Sequence, residues 1–120
     1  MNQCRLVLPN HLNSYGVLFG GYLLLWVDEI SWIAASLHYP GCRFVTVGMD
    51  RVEFRKSVRS GELLEFTTTR QSTGTTSVTY EVSVLRQSLE SATTEQVFTT
   101  QVTLVRVDET GSKIALPCGE

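Results

Sequence analysis

Asp28 is the residue whose type and position are best suited to chemistry. It lies in the middle of an almost entirely apolar stretch, with Leu24 and Leu25 one helical turn before it and Trp32 one turn after it. Because such a stretch offers no extended polar face, we expect the carboxylate to be partly removed from water. A carboxylate held in a cleft can act as a general base or as a nucleophile. The alternative is that Asp28 and Glu29 mark the exposed edge of an imperfectly buried helix.

A pair of glycines, Gly20 and Gly21, precedes Asp28 by about two helical turns. The N–H groups at the start of a helix are unpaired and lie at its positive end, which suits a developing oxyanion. Glycine also lets a substrate carbonyl approach the backbone closely. The alternative is a flexible entry into the helix. Taken with Asp28, the pair predicts a site in which the amides polarise a carbonyl while the carboxylate attacks it or activates water.

A cluster of basic residues follows the apolar stretch. Four of the ten basic residues fall within nine positions, namely Arg51, Arg55, Lys56 and Arg59. Guanidinium and ammonium groups at such spacing can clamp the phosphates of a ligand. The alternative is an ordinary solvated surface. The spacing matches neither a P-loop nor a dinucleotide-binding fingerprint.

Other catalytic and metal-binding arrangements are not indicated. The chain has no Gly-x-Ser-x-Gly motif around a nucleophilic serine. Its three cysteines, Cys4, Cys42 and Cys118, are far apart and odd in number, which fits neither a disulfide framework nor a paired metal site. With only two histidines, His11 and His38, we expect no protein-bound metal.

The elements that must position these residues can be predicted from hydrophobic periodicity and turn signals. Residues 22–38 are apolar nearly all round and predict one long helix. Alternation and β-branched residues predict five strands. These cover residues 4–8, 43–54, 62–72, 76–85 and 96–107.

Such a helix must be buried on most sides, and the strands can supply the cover. Consecutive strands joined by short turns indicate a mostly antiparallel sheet. We therefore expect one α+β domain over residues 1–120, with the sheet wrapped around a long central helix that is its most buried element. An edge strand left free in this arrangement favours dimerisation by sheet extension.

Composition narrows the classes of partner. A formal net charge of −2 gives no reason to expect nucleic acid, and a hydrophobic content of 42% is ordinary for a globular protein. The apolar stretch is too short for a membrane span and carries two acidic residues at its middle. No signal peptide is visible, so we expect no membrane partner and a cytoplasmic location.

Two segments resemble a known family. Residues 11–29 read HLNSYGVLFGGYLLLWVDE, and residues 54–62 read FRKSVRSGE. The first is similar to the hallmark of the acyl-CoA hydrolase family of hotdog thioesterases, an asparagine and a small loop ending in Phe-Gly-Gly, then a helix with Asp-Glu. The second resembles the basic turn of the same family. The resemblance covers nearly the whole chain in element order and is specific in these two segments.

The resemblance implies a fold, an activity and an assembly. It implies a hotdog fold and hydrolysis of an acyl-CoA thioester to a free carboxylic acid and CoA, with CoA as part of the substrate and no separate cofactor. It also implies homodimers, further assembled into tetramers or hexamers, with active sites between subunits. The residues carried over are Asp28 as general base or nucleophile, Gly20 and Gly21 as amide donors, Asn13 as the loop asparagine, and Arg55, Lys56 and Arg59 near the CoA phosphates.

One position departs from the family pattern. Many relatives have a polar residue just after the loop glycine, where this chain has Val17. Either Asn13 or a residue of the partner subunit takes over that role, or activity is low. The alternative function is therefore a non-catalytic hotdog protein that binds or senses acyl-CoA. Dehydratase or hydratase chemistry would need a catalytic histidine, and His11 is poorly placed for it because it precedes the loop.

Overall fold

The computed structural model describes residues 1–117, and Cys118 lies outside this range. Its elements are strand β1, a short 3₁₀ turn, helix α1 and four further strands. Their bounds are β1 Asn2–Leu6, the 3₁₀ turn Pro9–His11, α1 Gly20–His38, β2 Arg43–Phe54, β3 Leu63–Thr73, β4 Ser77–Gln87 and β5 Thr94–Val107. The order of one helix and five strands agrees with the predicted α+β class.

The five strands form a single sheet in the order β1-β3-β4-β5-β2. Every pairing is antiparallel, as the short turns predict. The two edges of the sheet are β1, at the beginning of the chain, and β2, which follows the helix.

The core lies between the helix and one face of the sheet. On β4 the alternating residues Val78, Tyr80, Val82 and Val84 are all fully buried, as their period of two predicts. The helix contributes a buried row of residues from Leu23 to Ala35. Full burial of one such aliphatic side chain contributes about 1.5–3 kcal/mol.

Several boundaries differ from the sequence prediction. Helix α1 begins at Gly20, two residues earlier than predicted, because the glycines complete its first turn behind the extended residue Phe19. Strand β1 covers residues 2–6 instead of 4–8, since Pro9 begins a 3₁₀ turn. Strand β5 begins earlier, at Thr94, where it pairs with Gln87 of β4.

The prediction that α1 is the most buried element is wrong for a single chain. Leu25, Trp32 and Leu37 are 55%, 48% and 66% exposed, whereas the inward-facing residues of β4 are at 0%. The sheet covers one side of the helix and leaves a second apolar side open. No helix within residues 1–117 is long and apolar enough to cross a membrane.

Strand β2 is an irregular edge. Its pairing with β5 shifts register between Thr46 and Gly48 and again between Asp50 and Glu53. The first shift leaves Val47 without a partner in the ladder, with more than half of its side chain exposed. Such bulges bend an edge strand and redirect its side chains.

Candidate active site

The loop before the helix is organised by Asn13. Its side-chain Oδ1 accepts hydrogen bonds from the N–H groups of Tyr15 at 2.8 Å and Val17 at 3.2 Å. Its own N–H donates to the carbonyl of Val17 at 2.8 Å. These bonds close a tight turn in which Gly16 has a positive φ of 77°. Within residues 1–117 the Nδ2 amide of Asn13 donates to no group, so it is free to meet a ligand or another subunit.

The glycine pair lies at the first turn of α1, as predicted. The first helical hydrogen bonds run from the N–H groups of Tyr22 and Leu23 to the carbonyl of Phe19. The amides of Gly20 and Gly21 precede them and have no acceptor in the described part of the chain. A Cβ on Gly20 would lie 3.1 Å from the ring of Phe54, whereas one on Gly21 would enter open space. Gly20 is therefore needed for close packing against Phe54. The lack of a side chain at Gly21 leaves the two glycine amides accessible to a ligand.

Asp28 faces the edge strand and makes one short hydrogen bond. The hydroxyl of Thr46, on β2, donates to Oδ1 of Asp28 at 2.5 Å. Asp28 is half-buried, while its neighbour Glu29 is exposed and forms a 3.2 Å ion pair with Arg5. The two acidic residues therefore have different roles, and only Glu29 marks the exposed edge of the helix. The second carboxylate oxygen of Asp28 remains available.

Thr46 contacts the candidate carboxylate and is a residue that the sequence analysis missed. Threonine is common in strands, and nothing in its immediate neighbours distinguishes this one. Its importance depends on how β2 lies against the helix, with Trp32 Nε1 also donating to the carbonyl of Phe44 at 3.2 Å. The two hydrogen bonds fix α1 against β2 and orient the carboxylate of Asp28.

The basic segment, residues 55–59, lies between β2 and β3. Arg55 is paired with Glu53 at 2.9 Å, and Lys56 lies 3.7 Å from Glu95. Both pairs are largely exposed, so each contributes little and can exchange partners. Val58 is buried, and its carbonyl accepts the N–H of Leu18 at 2.7 Å.

A cavity of about 280 Å³ joins the helix start to the basic segment. It brings Gly20 together with Arg55 and Lys56. It is lined by Val17, Leu18, Gly20, Leu23 and residues 54–58. Arg59, Asn13 and Asp28 are not part of its lining, so a single chain does not gather all of the candidates into one enclosed site.

A second cavity, smaller and apolar, also meets the helix start. It has a volume of about 230 Å³ and is lined by Phe19, Gly21, Tyr22 and Leu25. Because Gly21 forms part of it, an apolar group in this cavity would lie beside the free amides.

His11 has a packing role. Its ring lies 4.8 Å from that of Tyr22 and 5.0 Å from that of Trp26, and its Nδ1 accepts the N–H of Leu8 at 3.0 Å. The imidazole therefore supports the loop against the helix. This position does not favour dehydratase or hydratase chemistry.

The chain matches the thioesterase superfamily over residues 15–93. An uncharacterised acyl-CoA thioester hydrolase of Bacillus subtilis is 31% identical over 113 residues, which are 92% of this chain and 64% of the relative. The chain therefore spans less than two thirds of that relative's length.

Solved structures extend the likeness to the whole fold. The acyl-CoA hydrolase of Staphylococcus aureus, solved with butyryl-CoA, CoA and CoA disulfide, superposes with a TM-score of 0.90 at 27% identity, covering 98% of this chain and 71% of that one. A hexameric hotdog fold thioesterase of Campylobacter jejuni has a TM-score of 0.86 at 30% identity, covering 96% and 88%. These similarities confirm the predicted hotdog fold, and the chain belongs to the thioesterase superfamily.

Proposed function

We propose that this protein hydrolyses acyl-CoA thioesters to free carboxylic acids and CoA. The observation that carries the proposal is the arrangement on α1. A half-buried carboxylate, Asp28, is oriented by a 2.5 Å hydrogen bond from Thr46, and it follows the unpaired amides of Gly20 and Gly21 on the same helix. A base or nucleophile combined with oxyanion donors is the equipment that acyl transfer needs.

In the proposed reaction the thioester carbonyl oxygen accepts hydrogen bonds from the glycine amides. Asp28 then either removes a proton from water as the water attacks the carbonyl carbon, or attacks that carbon itself. The C–S bond breaks, and CoA leaves as a thiolate that takes up the proton given up by water. Where Asp28 attacks, its carboxylate and the acyl group form an anhydride, which water then hydrolyses to release the carboxylic acid and restore Asp28. No separate cofactor is needed, because CoA enters and leaves as part of the substrate.

The Staphylococcus aureus enzyme supports the choice of residues. It has also been solved with an asparagine, an aspartate or a threonine replaced by alanine. The interval between that asparagine and that aspartate equals the interval from Asn13 to Asp28 in this chain. The threonine follows the aspartate at an interval one residue shorter than that from Asp28 to Thr46. The equal interval supports Asn13 as the polar loop residue of this chain, in place of Val17.

A second copy of the chain would complete the site. Within one chain no hydrogen bond joins Asn13 to Asp28, and both the β2 edge and one apolar side of α1 are open. Hexameric thioesterases are among the similar structures. We propose that two copies pair along β2 and that such dimers build a hexamer. We also propose a cytoplasmic location, because the odd number of cysteines suits a reducing compartment.

The alternative function is that of a protein that binds or senses acyl-CoA without turnover. A direct assay distinguishes it from hydrolysis. Purified protein is incubated with acyl-CoAs of increasing chain length, and released CoA is trapped with a thiol reagent. Hydrolysis of at least one chain length supports the proposal. Binding of acyl-CoA with no released CoA across the panel supports the alternative.

Replacing Arg55 and Lys56 together with alanine is expected to raise KM for acyl-CoA by about threefold to tenfold, since charge-assisted contacts to phosphate are lost at an exposed site. The increase should be larger at low ionic strength than at high. Steady-state kinetics at two salt concentrations measure it, with Lys113→Ala, at an exposed position in the loop after β5, as a control for lost charge. An unchanged KM at both concentrations would assign the two residues to ordinary surface.

A further inference from the structure

Arg86, near the end of β4, connects three separate parts of the chain. Its Nη1 donates to the carbonyl of Ser57 at 2.8 Å and lies 3.4 Å from Oε1 of Glu62. Its Nη2 forms a close ion pair with Glu95. The side chain as a whole is 23% exposed, and its planar guanidinium serves three acceptors at once.

These contacts hold the middle of the basic segment. Its first residue is tied to β5 by the hydrogen bond from the Arg55 N–H to the carbonyl of Val97 at 2.8 Å. Its last residue is tied to Glu62, whose Oε1 accepts the N–H of Arg59 at 2.7 Å. The N–H of Lys56 also donates to the Val97 carbonyl, at 3.4 Å. Between these ends, the Ser57 carbonyl is held by the side chain of Arg86. Loss of Arg86 would therefore free the segment at Ser57, directly after Lys56, while Arg55 and Lys56 keep their backbone bonds to β5.

Arg86 also pairs with Glu95, a carboxylate that can compete with ligand phosphates for Lys56. Glu95 is shared between Arg86, which is the closer partner, and Lys56, whose Nζ lies 3.7 Å away. The hydrogen bond from Arg86 lowers the pKa of Glu95, which shows that the guanidinium favours the charged carboxylate. Without Arg86, Glu95 would have Lys56 as its remaining cation and would compete with a ligand phosphate for it.

We propose that Arg86 is a positioning residue for nucleotide recognition, which fixes the basic segment and occupies Glu95 so that Arg55 and Lys56 can bind the phosphates of CoA. The proposal rests on the proposed function, because it assigns the phosphates of an acyl-CoA to this segment. The guanidinium of Arg86 donates to protein acceptors. Arg86 therefore affects the ligand through Arg55 and Lys56.

The test compares two substrates that share the thioester and differ in the nucleotide. Arg86→Met keeps the length of the side chain and removes its hydrogen bonds. With acyl-CoA, KM should rise by about tenfold and kcat should change little, since charged hydrogen bonds of this kind govern the geometry of binding. With the same acyl group on N-acetylcysteamine, which has no phosphates, KM and kcat should stay at wild-type values. Equal losses for both substrates would show a merely structural role and overturn the proposal.

Binding of CoA alone, measured by calorimetry, separates this proposal from the proposed function. Weaker CoA binding by Arg86→Met, by about tenfold, supports the positioning role even where the wild type hydrolyses neither substrate. Lys113→Met removes one positive charge from an exposed position in the loop after β5 and should bind CoA as the wild type does. If Arg86→Met does not fold, Arg86→Lys decides, because an ammonium cannot serve all three acceptors. Wild-type affinity in a folded Arg86 variant overturns the proposal.

Discussion

Replacing Asp28 with asparagine is expected to lower kcat for acyl-CoA hydrolysis by at least about two orders of magnitude. General acid–base groups contribute about 10²–10⁴-fold to rate, and asparagine preserves the shape of the side chain while removing its basic oxygen. The hydroxyl of Thr46 can still donate to the amide oxygen, so the side chain should keep its place beside β2. Turnover is measured with saturating acyl-CoA.

The same variant should bind acyl-CoA and fold normally, because the amides of Gly20 and Gly21 are unchanged. Glu29→Gln is a matched control, since it removes a neighbouring carboxylate that is exposed and paired with Arg5. It should retain near wild-type turnover. Thr46→Val removes the orienting hydroxyl. Its turnover should lie between that of Asp28→Asn and that of Glu29→Gln. Near wild-type hydrolysis by a well-folded Asp28→Asn protein would exclude Asp28 from the mechanism, and weak turnover already in the wild type would favour the sensing alternative.

The sheet could be predicted closely because its strands carry their own signals. The period-two alternation from Val78 to Val84 identifies β4 and its buried face, and the structure confirms both. Strand β2 covers residues 43–54, as predicted. Gly20 and Gly21 could be assigned to the helix start because a glycine pair before a long apolar run is a local pattern.

The extent of helix burial and the contact of Thr46 with Asp28 could not be predicted. Both depend on contacts between distant parts of the chain. An apolar helix indicates that all its sides are covered, but it does not say whether one chain supplies the cover. Here Leu25 and Trp32 remain exposed within the single chain. The bond from Thr46 to Asp28 depends on the packing of β2 against α1, and Arg86 depends on a salt-bridge cluster from β4, β5 and the loop before β3. None of these pairings has a signal in the local sequence.

A substitution at the open edge of β2 is expected to have a second large effect on turnover. Val47→Lys is expected to yield a folded monomer whose kcat is at least about hundredfold lower, because a site shared between subunits loses its geometry when they separate. Val47 is exposed and lies outside the β2–β5 ladder, so the lysine should not disturb the core. Light scattering reports the mass of the particle, and the thiol-release assay reports turnover.

The opposite edge of the sheet provides the control. Leu6 ends β1, is 51% exposed and is also an apolar residue on an edge strand. If copies pair along β2, Leu6→Lys should keep the wild-type mass and turnover while Val47→Lys loses both. A reversed result would place the interface at β1. Full activity in a monomeric Val47→Lys protein would show that one chain contains the complete site, and Asn13 would then have to meet the substrate from the same subunit as Asp28.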